Sequence, residues 1–323
     1  MYDIITIGEI LAEILAKEIG QELSKPGIFL GPYPSGAPAI CIDQVGRMGV
    51  KSAIIAKVGK DDFGKLNLER LAQDGVDISR VVETSENSTG VAFNTYFPDG
   101  GRKFLFHFGH AACGELCVAD VDKDAILNSR YLHIMGCSIT GSPSMGEAIM
   151  QAVRLARDHH VKISFDPNIR PELLQGKIMD YYTEILDCCD VLLTGKSELK
   201  ILFGEDWEVA VKKLLASKDR TVVVKDGSRG TLFYNRQEAF SVATYPATEV
   251  DPTGAGDCFD ATFLSMICLG ADNRTAVHYA NAAGAHAVGK AGPMEGNTFK
   301  ADLDKYLEVT PRAAEKDIPM LYS

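Results

Sequence analysis

The sequence predicts an α/β fold: a mostly parallel central sheet flanked by helices, with a small separate β-sheet. Three observations predict it. Short apolar runs of strand length alternate with helical stretches along most of the chain. Most of these runs close on Gly, Pro, Asn or Ser, as strands entering a crossover do. Two segments in the first third, about 11 to 33 and 89 to 108, interrupt the alternation with β-like, turn-punctuated sequence. The 323 residues are 46% hydrophobic and 24% charged, with no internal repeat or low-complexity linker, so residues 1–323 read as one large α/β domain with an insertion.

The elements follow in order. Ile4 to Ile10 is an apolar run with Gly8-Glu9 near its end. Residues 37 to 48 read as a helix stopped by Gly49, Ser52 to Val58 as a strand, and Asp62 to Gln73 as a helix ended by Gly75. Thr89 to Phe97 and Arg102 to Phe108 flank a Pro98-Asp99-Gly100-Gly101 turn, a hairpin pattern. With residues 11 to 33 it is expected to form a small sheet, which beside a ligand cleft would act as a lid. Tyr131 to Met135, Lys162 to Phe165, Val191 to Leu193 and Thr221 to Val224 are further strands, and Cys258 to Leu269 is an apolar helix.

Composition excludes several functions. Lys plus Arg is 33 against 44 Asp plus Glu, a net charge of −11 with no basic run, which argues against nucleic acid as the main partner. No stretch approaches the ~20 apolar residues of a membrane span. The start, MYDIITIGEILAEIL, has neither a basic region nor a small-residue cleavage site, so no secretory signal is read. The eight cysteines sit in apolar contexts without paired CxxC spacing and are expected to be reduced thiols of a cytoplasmic protein.

In an open α/β sheet, chemistry belongs beyond the carboxyl ends of the strands. Asp166-Pro-Asn168-Ile-Arg170, Thr194 to Glu198 and Lys225 to Gly230 stand at such ends, and Asp251-Pro-Thr253-Gly254-Ala255-Gly256-Asp257 precedes the apolar helix. Gly254, Ala255 and Gly256 let backbone amides converge beside a helix N-terminus, which is an anion hole suited to phosphate. A carboxylate at Asp257 would repel that anion unless it faces a hydroxyl that must lose a proton. The competing reading is a capped helix after a Gly-rich turn. Gly227 and Gly230 suit either a nucleotide loop or a hairpin turn. Arg170 could meet a phosphate through its guanidinium fork or form a surface ion pair. Glu198 could hold Mg²⁺ through water or cap a turn. His107 and His110 flank the hairpin, where lone histidines are more often structural than ligands. Two decoys fail: Gly195-Lys196-Ser197 lacks the P-loop glycine, since position 190 is Asp190, and no GxGxxG follows the first strand.

Four blocks in order carry a resemblance: Ser35 to Ala39 through Val58 to Gly64, Asp166 to Arg170, Lys225 to Gly230, and DPTGAGDCF from Asp251 to Phe259. Over nearly its whole length the chain resembles the ribokinase-like (PfkB) carbohydrate kinases, in the branch of fructokinases and 2-keto-3-deoxygluconate kinases. The resemblance implies a ribokinase-like fold with a β-lid, ATP as phosphoryl donor, Mg²⁺, and a sugar hydroxyl as acceptor. It implies Asp257 as the catalytic base over an anion hole of Gly254, Ala255 and Gly256. It places Lys225, Gly227 and Gly230 along the nucleotide, Asn281 near the adenine and Arg170 at the phosphates. Asp251, with backbone around Thr253 and Gly292, would frame a monovalent-cation (K⁺) site. The resemblance places the acceptor among Glu13, Gly36, Ile40, His107, Arg170 and Asp257, and the departures gather mainly on that side. Ile40 stands where the family usually has Asn, Glu13 where it has Asp, and Phe108 where a sugar-acid kinase has Arg. Near the metal, Gly195 stands where the family has Asn. The sequence therefore points to an ATP-dependent kinase acting on a terminal hydroxyl of a small sugar, a ketose. A 2-keto-3-deoxygluconate kinase, a nucleoside kinase and a non-catalytic sugar sensor are the alternatives. An exposed lid edge would also invite homodimerisation.

Overall fold

The computed structural model describes residues 1–99, 101–170, 174 and 177–321. Gly100 of the expected hairpin turn lies outside them. The strands are β1 (Tyr2–Ile7), β2 (Leu11–Ala16), β3 (Phe29–Ser35), β4 (Ser52–Gly59), β5 (Val76–Asp77), β6 (Val81–Thr84), β7 (Gly90–Tyr96), β8 (Arg102–His107), β9 (Ser129–Met135), β10 (Lys162–Asp166), β11 (Val191–Gly195), β12 (Thr221–Lys225), β13 (Thr231–Tyr234), β14 (Ala239–Val242) and β15 (Glu315–Asp317). The helices are α1 (Ala37–Arg47), α2 (Asp62–Gln73), α3 (Lys123–Leu127), α4 (Gly136–Ile139), α5 (Pro143–Asp158), α6 (Ile178–Cys188), α7 (Lys196–Phe203), α8 (Trp207–Ser217), α9 (Ala255–Cys268), α10 (Asn273–Ala287) and α11 (Lys300–Val309).

The central sheet runs β15-β14-β13-β12-β11-β10-β9-β1-β4-β5, with β6 also on β4. Pairings from β12 through β1 to β4, β5 and β6 are parallel, and β13, β14 and β15 add antiparallel strands at one edge. The apolar runs are buried on both faces, as a covered parallel sheet requires. One face packs Ile4, Ile54, Leu193 and Val223 against α1, α9 and α10. The other packs Ile5, Ile55, Leu132 and Phe165 against α5, α6 and α8. Side-chain caps fix several helix starts: Asp61 accepts from Gly64 N, Ser142 from Met145 N, and Asp272 from Thr275 N.

The two interrupting segments form a second, four-stranded sheet of order β3-β2-β7-β8. Its centre is a parallel β2–β7 pair, flanked by antiparallel partners. Strand structure covers the ends of the first segment and continues to Ser35. No described helix is long and apolar enough to cross a membrane, and all eight cysteines are free.

Candidate active site

Parallel strands bring their carboxyl ends to one edge. Here that edge gathers Glu9 after β1, Asp166, Asn168 and Arg170 at and after β10, Glu198 after β11 and Lys225 at the end of β12, beside the start of α9. Two cavities open there. One lies under the small sheet, lined by Glu9, Glu13, Gly36, Ile40, Arg102, Phe104, Phe106, Phe108, Asn168, Arg170, Glu198, Thr253 and Asp257. The other is an apolar slot lined by Gly227, Ser228, Gly230, Thr231, Tyr245, Phe259, Asn281, Gly284 and Val288. Lys225, Pro252 and Gly256 line both.

The junction brings the start of α9 beside the Lys225 ammonium. Gly254 takes φ 81°, and a Cβ on it would meet the Pro293 carbonyl oxygen at 2.3 Å, so no side chain fits. Helix α9 starts at Ala255, three residues before the expected Cys258, so Ala255, Gly256 and Asp257 form its first turn. Amides of a first turn have no partner four residues back, and no side chain caps this helix. The Lys225 ammonium lies 3.7 Å from where a Cβ of Gly256 would be. It is held at 3.0 Å by Asp166 and 2.8 Å by Asp260. Burial works against that charge, but the two carboxylates keep the ammonium well above the ordinary lysine range.

Asp257 is 7% exposed. Burial, and then the negative charge of Asp166, push its carboxyl up to about 7, with Lys225 and Arg170 opposing. A helix N-terminus suggests a weak base; burial overrides the dipole. Its Oδ1 accepts from Asn168 Nδ2 at 3.1 Å. The capping reading has no support, because α9 lacks a side-chain cap.

The other expected residues divide. Glu13, 2% exposed, accepts from Ser35 Oγ at 2.7 Å, and burial pushes it up to about 7. Gly36 caps α1 at φ 105°, its missing Cβ leaving room for the Glu9 carbonyl. Ile40 belongs to the core and forms cavity wall. Arg170 lines the cavity under the small sheet together with Gly254, Gly256 and Asp257, and is absent from the slot lining. His107 is corrected: it is exposed and outside the lining, because strand alternation turns Arg102, Phe104 and Phe106 inward and Lys103, Leu105 and His107 outward. Gly227 and Gly230 lie on a β12–β13 hairpin connection, as the turn reading expects, and that connection also borders the slot. Asn281 lines the slot but spends its amide on Thr231 Oγ1 at 2.7 Å and the Val242 and Ala243 carbonyls.

Glu198 combines a cap with a cavity position. Its Oε1 accepts from Ile169 N at 2.8 Å and its Oε2 from Gly195 N at 2.7 Å. Burial raises its carboxyl, with Asp166 adding to the effect. Direct metal ligation does not suit a carboxylate so engaged; a contact through water does. Among the described residues, no group of three or more His, Cys, Asp or Glu could hold a metal ion. Asp251 accepts from Thr253 N and Gly292 N, each at 2.9 Å, and from the Tyr96 hydroxyl. Sequence reading missed Glu9, Asn94, Tyr96 and Asp260. Glu9 is 5% exposed with Oε2 unpartnered, and its position at a strand end was its signal.

The profile of the pfkB family carbohydrate kinases matches residues 1–299. This chain belongs to that family. The kinase is 30% identical over 318 residues to the probable fructokinase-5 of Arabidopsis thaliana, covering 94% of this chain and 97% of the relative. It is 26% identical to the 5-dehydro-2-deoxygluconokinase of Bacillus subtilis, covering 95% and 96%. Among solved structures, a putative ribokinase II from E. coli in complex with ATP and Mg²⁺ is 42% identical, with a TM-score of 0.91 over 96% of this chain and 100% of that one. The pfkB kinase is thus a carbohydrate kinase of ribokinase-like fold, its small sheet being the lid.

Proposed function

We propose that this kinase transfers the γ-phosphoryl group of ATP to a terminal hydroxyl of a small neutral sugar, a ketose of the fructose kind. The observation that carries the reading is the shared lining of the two cavities by Lys225, Pro252 and Gly256, with Asp257 at the junction. ATP suits the apolar slot, with its phosphates toward the α9 N-terminus. The acceptor suits the cavity under the lid. Asp257 orients the acceptor hydroxyl and takes its proton. The first-turn amides of α9 and the Lys225 ammonium hold the charge of the transferring group. Such positioning and charge stabilisation are the main needs of a loose phosphoryl-transfer transition state. Mg²⁺ bound with the nucleotide supplies further neutralising charge, with Glu198 facing it through water.

Phe108 in place of an arginine, with Glu9 and Glu13 in the cavity wall, supports a neutral acceptor. One observation favours a sugar acid as the second reading. Arg102 and Arg170 both approach the Phe104 ring, at 5.4 and 5.8 Å, and could face a carboxylate. A coupled assay with ATP·Mg²⁺ over ketoses, aldoses, sugar acids and nucleosides decides. Highest kcat/KM on a ketose is expected, and highest kcat/KM on a sugar acid replaces the reading with the second. We infer also a cytoplasmic protein that pairs through its lid, where Ile28, Phe29 and Leu30 are exposed at the β3 edge. A monomer by light scattering excludes the pairing.

A further inference from the structure

We propose that Tyr96 is a positioning residue that latches the closed lid to the anion-hole loop, filling with its hydroxyl the place a monovalent cation would take at Asp251. This rests on the phosphoryl-transfer reading of the site, not on the identity of the acceptor.

Tyr96 closes strand β7 of the lid, yet its hydroxyl reaches the loop ahead of α9. It donates to Asp251 and lies 2.7 Å from Thr253 Oγ1, while Asn94 Nδ2 donates to it at 3.2 Å. Asn94 Nδ2 also stands 3.5 Å from Glu13 Oε1 and 3.5 Å from Thr253 Oγ1. A chain of polar contacts therefore runs from Glu13 in the acceptor cavity, through two β7 side chains, to the two residues that lead into Gly254. A second lid contact meets the same region from another strand. A Cβ on Gly292 would lie 2.9 Å from Cδ1 of Tyr33 on β3, and Gly292 N is itself a donor to Asp251.

Around the Asp251 carboxylate the partners are hydrogen-bond donors. Oδ1 takes Thr253 N and Tyr96 OH, and Oδ2 takes Gly292 N. A cation site needs oxygens with free lone pairs converging on one point. Here N–H and O–H groups point at the carboxylate and satisfy it, and Asp251 is 2% exposed. An Asp251 carboxylate so occupied does not fit the K⁺ that the resemblance implies there. With the hydroxyl in that place, the loop is completed only when the lid is down, so lid closure and the anion hole form together.

Tyr96→Phe removes the hydroxyl and keeps the ring. Hydrogen exchange on the whole apo protein needs no acceptor. The variant is expected to exchange about tenfold faster over residues 29–35 and 90–96, the scale of a lost hydrogen bond to a charged group, with β9 and β10 unchanged. Unchanged lid exchange overturns the latch. Kinetics with fructose and ATP supply the second arm. Wild-type rates should agree within about twofold in K⁺ and in tetramethylammonium. The variant should lose about tenfold in kcat/KM for fructose in either salt, with ATP Kd held. Wild-type activity that requires K⁺, or a variant at wild-type kcat/KM, overturns the assignment. If wild type leaves fructose untouched, the ketose reading fails and the exchange arm alone decides the latch.

Discussion

Asp257 joins two demands that oppose each other. As a base it should be ionised, and as a buried side chain beside an anion site it should be neutral. Burial sets it at about 7, so kcat/KM should rise with pH through that value, which a pH–rate profile checks. Asp257→Asn keeps the shape and should cut kcat by about 10²–10⁴ while ATP affinity holds or improves. Stability should move the other way. The folded value lies above the ordinary 3.8, so the carboxyl's contribution is present below the ordinary range and lost as pH rises through about 7. Melting temperatures at pH 8 should therefore favour the Asn variant, with the gap shrinking toward pH 5. Near-normal kcat with a lowered melting temperature would instead leave Asp257 a structural residue. Ile40 makes a smaller test of acceptor choice. An amide there could reach a sugar hydroxyl, worth about 0.5–1.5 kcal/mol, so Ile40→Asn should reorder acceptors and leave the ATP KM unchanged.

At the scale of elements, periodicity made most of the body legible. The limits of α2 agree with their sequence reading because Asp61 caps its first turn and Gly75 follows its end. The turn into α9 was legible too, since a Gly-Ala-Gly-Asp run ahead of an apolar stretch marks a helix start. What sequence left unread depends on contacts between distant segments. The start of α9 lies earlier than its apolar stretch suggests, because Ala255 and Gly256 are weak signals alone, whereas Gly254 in the left-handed region fixes the turn. His107 stands out by its chemistry alone, and the alternation of its strand turns it outward. Tyr96 gave no local signal; its partner is 155 residues away. The α9 turn gives a sharp expectation. Gly254→Ala meets both an unfavourable φ and the Pro293 carbonyl, so it should cost at least 1–3 kcal/mol or so in urea unfolding and weaken ATP binding by calorimetry. A wild-type ATP Kd in that variant would mean the turn has no part in holding phosphate.

Across the whole molecule, the loop that backs Gly254 is carried by helices from the other end of the chain. Arg70 on α2 donates to the Met294 carbonyl at 2.7 Å and to Asp74 at 2.6 Å, while Arg47 on α1 reaches the Asn297 carbonyl at 2.6 Å and Asp74 at 3.0 Å. Asp43, fully buried, accepts from Asn297 Nδ2 at 2.7 Å and pairs with Arg70 at 3.2 Å. Burial pushes Asp43 up to about 7, with Arg70 as the main opposing charge. Removing one partner from a buried cluster leaves the other uncompensated, which costs more than the pair itself contributes. Arg70→Met should therefore lower unfolding free energy by about 3–5 kcal/mol. It should also raise Asp43 further, so that more of its stabilising effect is lost as pH rises; the deficit should be larger at pH 8 than at pH 5. Asp43→Asn on the Arg70→Met background removes the orphaned charge and should recover part of the loss at pH 8, with little change at pH 5. Because the Pro293 carbonyl next to Met294 packs against Gly254, the single variant should lose kcat along with stability, and the double variant should regain some of both. A double variant no more stable than the single one at pH 8 would mean that the cluster acts through packing and not through charge, leaving the kinase's two ends joined by shape alone.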